Sequence, residues 1–123
     1  MFTGAVQEKS YAFALRTVKM VQHLNKAKHE FPLAGQVLRS GTSIGANVEE
    51  ANGAQSSKDF LSKIAIAYKE ARETHYWLRL LRDAGYLDEK SASSILADCE
   101  ELLRLLGKIK VTTRSRLQAK PPE

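Results

Sequence analysis

The sequence is poor in the residues that disulfide-stabilised domains and many metal proteins depend on. Cys99 is the only cysteine among 123 residues, which excludes an internal disulfide and argues against a cysteine-based metal cage. No apolar run approaches the roughly 18 residues that a membrane span needs, and the chain does not open with a basic segment followed by an apolar one. We therefore expect a cytoplasmic protein without membrane contact.

Histidine is also scarce, and its spacing argues against a di-iron site. Such a site in a helical bundle needs a Glu-x-x-His motif on two helices, and none of His23, His29 and His75 follows a glutamate by three residues. The sequence has no nucleophile elbow and no phosphate-binding glycine loop. We therefore predict that the protein is not an enzyme and has no catalytic residue, metal or cofactor.

Apolar residues at steps of three and four are abundant, and they predict four helices. We place the helices at residues 10–28, 34–52, 57–84 and 89–111, after a short leader and before a frayed, exposed basic tail at residues 112–123. The length suits one domain with its own core, spanning residues 1–123. Short connections and the lack of a strand pattern predict an all-α, antiparallel up-down-up-down four-helix bundle.

The same spacing predicts which residues of these helices form the core. The seam of the first helix contains Tyr11, Ala14, Leu15, Val18, Val21 and Leu24. The seam of the third contains Phe60, Ile64, Ala67, Ala71, Thr74, Leu78 and Leu81. The seam of the fourth contains Ala92, Ile95, Cys99, Leu102, Leu106 and Ile109. Further apolar residues on the third helix, among them Tyr68 and Trp77, indicate a face buried between subunits.

The second helix organises this prediction because it carries two interior glycines, Gly41 and Gly45. Gly41 belongs to its apolar face, which consists of Val37, Gly41, Ile44, Val48 and Ala51. Each glycine costs about 1 kcal/mol relative to alanine inside a helix, so a close neighbouring backbone should offset the cost. The small residues Ala67 and Ala71 of the third helix suit such a close crossing.

A polar stripe lies beside that apolar face and consists of Arg39, Ser43, Asn47 and Glu50. If the second and third helices run antiparallel, Glu70 and Glu73 are candidate partners for Arg39 and Asn47, and charge-assisted hydrogen bonds would then fix the register of the two helices. The alternative is an ordinary core helix whose polar stripe faces water.

Basic residues outnumber acidic ones, with a net charge of +5. The candidate nucleic-acid-binding residues are Arg104, Lys108, Lys110, Arg114, Arg116 and Lys120 near the end of the chain, together with Lys19 and Lys26 in the first helix. They are suited to neutralise phosphates, whereas the sequence shows no base-reading motif and no aromatic stacking platform. The alternative is that they form solvated helix faces and a solubilising tail.

Two stretches make the sequence similar to a known family. They are Arg39-Ser40-Gly41-Thr42-Ser43-Ile44-Gly45-Ala46-Asn47-Val48-Glu49-Glu50-Ala51, and the third-helix motifs Ser57-Lys58-Asp59-Phe60, Ile64-Ala65-Ile66-Ala67, Glu70-Ala71-Arg72-Glu73-Thr74 and Tyr76-Trp77-Leu78-Arg79-Leu80-Leu81. Over residues 9–111 the chain resembles the four-helix-bundle proteins encoded in intervening sequences of bacterial 23S ribosomal RNA genes. Many members have alanine and glycine where this chain has Glu49 and Ala51, a departure that resembles one branch of the family.

The resemblance implies an antiparallel bundle that assembles into a ring-like homopentamer without enzymatic activity. It also implies relatedness to the basic accessory proteins of diversity-generating retroelements, which bind nucleic acid and the reverse transcriptase. The polar positions Arg39, Ser43, Asn47, Glu50, Glu70 and Glu73 match those characteristic of the family.

We therefore predict a non-enzymatic, oligomeric scaffold that contacts RNA or DNA phosphates through lysine and arginine. Its expected partners are further copies of itself, structured RNA or DNA, and a nucleic-acid enzyme. The alternative is a protein-interaction bundle that recruits another protein and has no nucleic-acid role.

Overall fold

The computed structural model describes residues 3–28 and 32–119 and consists of four α-helices over that part of the chain. They are α1 (Ala5–Lys28), α2 (Pro32–Asn52), α3 (Ser57–Asp83) and α4 (Glu89–Ala119). Within these residues there is no strand, so the predicted all-α class with four helices is confirmed. None of the described helices has the length and apolarity that crossing a bilayer requires.

Short polar motifs set the ends of α3 and the start of α4. Ser56 caps α3, because its hydroxyl oxygen accepts a hydrogen bond from the Asp59 backbone N–H at 3.0 Å. After α3 the chain reverses at Gly85, whose φ of +85° favours glycine. Asp88 caps α4 by accepting from the Ser91 backbone N–H at 2.8 Å. These caps leave only short connections between the helices.

The predicted leader is wrong from residue 5 onward, because α1 begins at Ala5. Val6 is buried in the core, and Thr3 donates from both its backbone N–H and its hydroxyl to the Asn52 side-chain oxygen at 3.0 Å. The start of α1 is therefore fixed against the end of α2. A single buried valine among polar residues is too weak a pattern to predict this from sequence.

The predicted frayed tail is also wrong over residues 112–119, because α4 continues to Ala119. Thr113 is buried and Leu117 is half-buried, so they extend the face that Ile109 occupies one turn earlier. Residues 112–119 have threonine and arginine at positions where earlier turns of α4 have apolar residues, so the apolar spacing typical of a helix is hidden. The helix can nevertheless continue, because this stretch contains no glycine or proline. Residues 120–123 lie outside the described part of the chain.

The core seams of α2, α3 and α4 are confirmed almost completely. Every predicted seam residue of α2 and α3 is buried, and so are those of α4 up to Leu106, while Ile109 is half-buried. These three helices pack in sequence, α2 on α3 and α3 on α4, while α1 contacts both α2 and α4. One hydrophobic core therefore joins all four helices.

The predicted seam of α1 is wrong in its first half, where a different face of the helix is buried. Tyr11 is 62% exposed and Leu15 is 48% exposed, although Val21 and Leu24 are buried as predicted. The buried stripe of α1 consists of Val6, Ser10, Phe13, Thr17, Val21 and Leu24. Ser10 and Thr17 can be buried because their hydroxyls donate to carbonyl oxygens of the preceding helical turn.

The glycines of α2 face α1 and not α3. A Cβ built on Gly41 would lie 2.7 Å from Thr17 Cγ2, and one built on Gly45 would lie 3.3 Å from the Ser10 carbonyl oxygen. The small side chains that face the glycines are therefore on α1. Ala67 and Ala71, which we expected opposite the glycines, are core residues of α3.

Candidate nucleic-acid interface

The second half of α4 is a cationic surface, defined here as the basic residues between Leu102 and Ala119. They are Arg104, Lys108, Lys110, Arg114 and Arg116. No acidic residue interrupts this stretch, and four of the five side chains are exposed. None of the five forms an ion pair with any carboxylate of residues 3–28 and 32–119. Their charge is therefore free to attract an anionic partner.

Lys110 is the half-buried member of this surface, and an aromatic ring orders it. Its Nζ lies 4.9 Å from the centroid of the Tyr68 ring of α3, a cation–π contact. The ring also lies over Gly107, where a Cβ would be 3.5 Å from Tyr68 Cε2. This contact positions the ammonium group and leaves its positive charge unneutralised.

Other basic residues on α1 are neutralised by the first half of α4. Lys9 pairs with Glu101 at 3.0 Å, and Arg16 pairs with Asp98 at 2.6 Å. Acidic residues are thus concentrated before Leu102, and basic ones follow it. The uneven distribution gives one end of α4 a positive field that salt would screen.

The structure does not bring Lys19 and Lys26 of α1 to this cationic surface. Lys19 lines a cleft with Ser91 and Ile95, near the start of α4. Ile95 precedes Arg104, the first residue of the cationic surface, by nine positions, which corresponds to about 14 Å at 1.5 Å per residue. Lys26 follows Lys19 by about two further turns of α1. Lys120 lies outside the described residues.

The polar cluster is present in part. Arg39 donates to Glu70 at 3.2 Å and also contacts the Glu73 carboxylate, whose other donor is the Trp77 indole N–H at 2.9 Å. Glu70 is only 8% exposed, and Arg39 supplies the opposite charge beside it. The contacts of Arg39 therefore join α2 to α3, as expected if charge-assisted hydrogen bonds fix the register of the two helices.

Three other members of the polar stripe do not join this contact. Asn47 donates to the carbonyl and hydroxyl oxygens of Ser43 within its own helix, at 2.8 and 3.2 Å. The expected pairing of Asn47 with Glu70 or Glu73 is therefore wrong, because its amide is already satisfied one turn back. The Glu50 side chain is exposed and forms no hydrogen bond or ion pair with any of the described residues.

The family comparison covers most of the chain. A model of the 23S rRNA-intervening sequence proteins matches residues 4–108. The chain belongs to that family. The resemblance predicted from the α2 and α3 motifs is thus confirmed, and the match starts next to the observed beginning of α1. It ends at Lys108, so Lys110, Arg114 and Arg116 lie beyond it.

A solved structure agrees with this membership. The crystal structure at 1.70 Å of a protein of unknown function from the S23 ribosomal protein family of Bacteroides thetaiotaomicron VPI-5482 is similar to this chain. The two share 46% identity over 86% of this chain and 98% of that one, with a TM-score of 0.84. No curated protein matches the sequence.

Sequence reasoning missed a buried polar contact between α2 and α3 in this family member. The Ser40 hydroxyl lies 2.9 Å from the Thr74 hydroxyl, which itself donates to the Glu70 carbonyl oxygen at 2.7 Å. Both side chains are fully buried. In the sequence, the only sign of this contact is that Thr74 interrupts the apolar seam of α3 and that Ser40 adjoins the apolar face of α2. The contact continues the Arg39–Glu70 cluster into the core.

The thiol of Cys99 is shielded from solvent. Cys99 is buried, its thiol donates to the Ala71 carbonyl oxygen at 3.4 Å, and burial raises the pKa of the thiol to about 12. Among the described residues no three histidine, cysteine, aspartate or glutamate side chains are grouped so that they could hold a metal ion. The cationic surface is therefore the candidate site of the molecule.

Proposed function

We propose that this protein is a non-enzymatic, oligomeric scaffold that associates with RNA or DNA through the cationic surface of α4. One observation carries the proposal: the five basic residues of the cationic surface lie in a stretch of α4 that has no acidic residue, and none of them forms an ion pair with any of the described residues. Uncompensated cations in a row are what phosphate neutralisation requires. A cytoplasmic location suits this role.

The spacing of three of these residues supports contact with successive phosphates. At about 100° per residue, Arg104, Lys108 and Arg114 lie within about 120° of one another on the exposed side of α4, whereas Lys110 and Arg116 flank that side in opposite directions. Arg104 and Arg114 are 10 positions apart, about 15 Å along the helix, a length over which one strand of a duplex carries about four phosphates. Because such contacts involve the backbone, binding should depend on charge and shape more than on base sequence.

For the bundle we propose an up-down-up-down arrangement, supported by the order of the contacts between helices. Along α1, Lys9 meets Glu101 of α4 and the later Arg16 meets the earlier Asp98. Along α3, Tyr68 contacts Lys110 and the later His75 contacts the earlier Glu100. Numbering that rises along one helix while it falls along its neighbour is expected of antiparallel neighbours.

The oligomer that we propose is the homopentamer implied by the family resemblance. Tyr11 and Leu15 support burial of a further face, because these two apolar side chains lie one turn apart on α1 and both are largely exposed. A ring of copies would repeat the cationic surface and multiply its contacts with one nucleic acid. A nucleic-acid enzyme remains an expected further partner.

Two triple variants with the same loss of charge test the site. Arg104→Gln/Lys108→Gln/Arg114→Gln changes the cationic surface, and Lys19→Gln/Lys26→Gln/Lys90→Gln changes exposed lysines elsewhere. We expect the first to weaken binding to structured RNA or duplex DNA at least tenfold more than the second, while circular dichroism and light scattering show unchanged folding and assembly. Equal weakening would contradict the site, because only net charge would then matter.

If neither triple variant weakens nucleic-acid binding, or if the wild type does not bind at all, the alternative of a protein-interaction bundle is favoured. The exposed apolar residues Ile66 and Tyr76 of α3 would then be the surface to examine. Substitution is preferable to truncation, because residues 112–119 are a helical part of α4 with Thr113 buried.

A further inference from the structure

A cleft of about 290 Å³ lies between α1 and the start of α4, away from the cationic surface. Its lining consists of Arg16, Lys19, Met20, His23, Leu87, Ser91 and Ile95. The volume is at the lower end of the range for small-molecule sites. A ligand of about ten non-hydrogen atoms is therefore the appropriate size.

The lining divides into an apolar and a basic part. Met20 and Leu87 pack against the hydrophobic core, and Ile95 belongs to it. Arg16, Lys19 and His23 follow one another at steps of three and four, so they share one face of α1. A molecule in this cleft would meet hydrocarbon on one side and nitrogen donors on the other.

The charges of the cleft are unevenly compensated. Arg16 is held by Asp98 at 2.6 Å and by the Ser94 hydroxyl at 2.8 Å, so its charge is already matched. The side chains of Lys19 and His23 form no ion pair or hydrogen bond with any residue of the described part of the chain. One uncompensated ammonium group beside an imidazole suits a single negative charge.

The hydroxyl of Ser91 is not available to that charge. It donates to the Asp88 carboxylate at 3.0 Å, and the same carboxylate accepts from the Ser91 backbone N–H. A negative charge in the ligand would also be repelled by Asp88. The anionic end of a ligand is therefore directed toward α1, which leaves the apolar side of the cleft for its hydrocarbon.

We propose that this cleft binds a small amphipathic monoanion, a carboxylate with a short hydrocarbon chain. The carboxylate lies at Lys19 and His23, and the chain lies on Met20, Leu87 and Ile95. The site is separate from the cationic surface, since Ile95 precedes Arg104, the first residue of that surface, by nine positions, about 14 Å along α4.

The test is a titration of the full chain with sodium octanoate, followed by amide chemical shifts. We expect saturable shifts at Leu87, Ser91 and Ile95 with a Kd on the order of 1 mM, as the size of the ligand allows. Acetate has the charge without the chain, and octylammonium has the chain with the opposite charge. Both should bind far more weakly than octanoate.

Lys19→Gln should weaken octanoate binding about two- to fivefold, the effect of losing one exposed charge pair. Lys26→Gln is the matched control on the same helix and should leave the Kd within about twofold. Three results would overturn the proposal: no saturable shift at roughly ten times the expected Kd, equal binding of octylammonium, or shifts centred on Tyr11 and Leu15 instead of the cleft.

Discussion

Gly41 of α2 packs directly on Thr17 of α1, with room for no further atom between them. A Cβ at Gly41 would stand 2.7 Å from Thr17 Cγ2 and 2.9 Å from Thr17 Oγ1. The Thr17 side chain is fully buried, and its hydroxyl donates to the Phe13 carbonyl oxygen at 2.9 Å. It can move aside only by breaking that bond. The glycine therefore sets the distance between α1 and α2.

We predict that Gly41→Ala lowers the free energy of unfolding by about 1–2 kcal/mol. Overpacking against Thr17 outweighs the gain of about 1 kcal/mol in helix propensity that alanine brings. Urea denaturation followed by circular dichroism measures the change.

Gly35 of the same helix provides the matched control. A Cβ at this position would meet nothing within 4 Å, so Gly35→Ala should raise the free energy of unfolding by about 0.5–1 kcal/mol. If the two alanine variants have the same stability, the close crossing of α1 and α2 does not depend on Gly41.

The Arg39–Glu70 pair should contribute measurably to stability. We predict that Arg39→Ala lowers the free energy of unfolding by about 1 kcal/mol, a modest value because Arg39 is half-exposed while Glu70 is buried. Thermal or urea denaturation provides the measurement. The control is Arg72→Ala, because Arg72 is an exposed arginine of α3 that forms no ion pair with any of the described residues.

A double-mutant cycle with Glu70→Gln separates this pair from other effects of the substitution. The cost of Arg39→Ala should fall when residue 70 is already neutral, since no buried carboxylate is then left unpaired. Costs that simply add would mean that the polar stripe is solvated, which was the alternative from the sequence.

Cys99 should be inert in the folded protein. Its thiol is buried and its pKa is about 12, so at pH 8 the thiolate is rarer by about 10³-fold than in an ordinary peptide. We predict that Ellman's reagent labels Cys99 in denaturant but at least 10³-fold more slowly in the native state. Complete labelling of the native protein within minutes would show that the α3–α4 contact opens readily.

The sequence predicted the fold best where apolar residues alone form the buried stripe. In α3 the whole seam from Phe60 to Leu81 is buried, because its steps of three and four match the helical period and no polar residue but Thr74 interrupts it. In α1 the same rule selected Tyr11 and Leu15, which are exposed. Small hydroxyl side chains that bond their own backbone can be buried at little cost, and an apolar pattern cannot reveal them.

The sequence shows which residues of the candidate site are basic, but it predicts only part of their arrangement in space. The run of basic residues after Leu102 is visible in the sequence, whereas its helical form is hidden by the loss of apolar residues after Val111. The sequence prediction grouped Lys19 and Lys26 with this run, and the structure separates them from it. To predict that separation, one must know which end of α1 lies beside which end of α4. That relation is set by the Lys9–Glu101 and Arg16–Asp98 contacts, which join helices far apart in sequence.

The most direct test of the proposed function is the salt dependence of nucleic-acid binding. Fluorescence anisotropy of labelled duplex DNA and structured RNA, measured over a series of salt concentrations, gives the slope of log K against log salt. If Arg104, Lys108 and Arg114 contact phosphates, we predict a slope of roughly −2.7 or steeper for duplex DNA. No binding even at low salt, or binding that salt leaves unchanged, would contradict it.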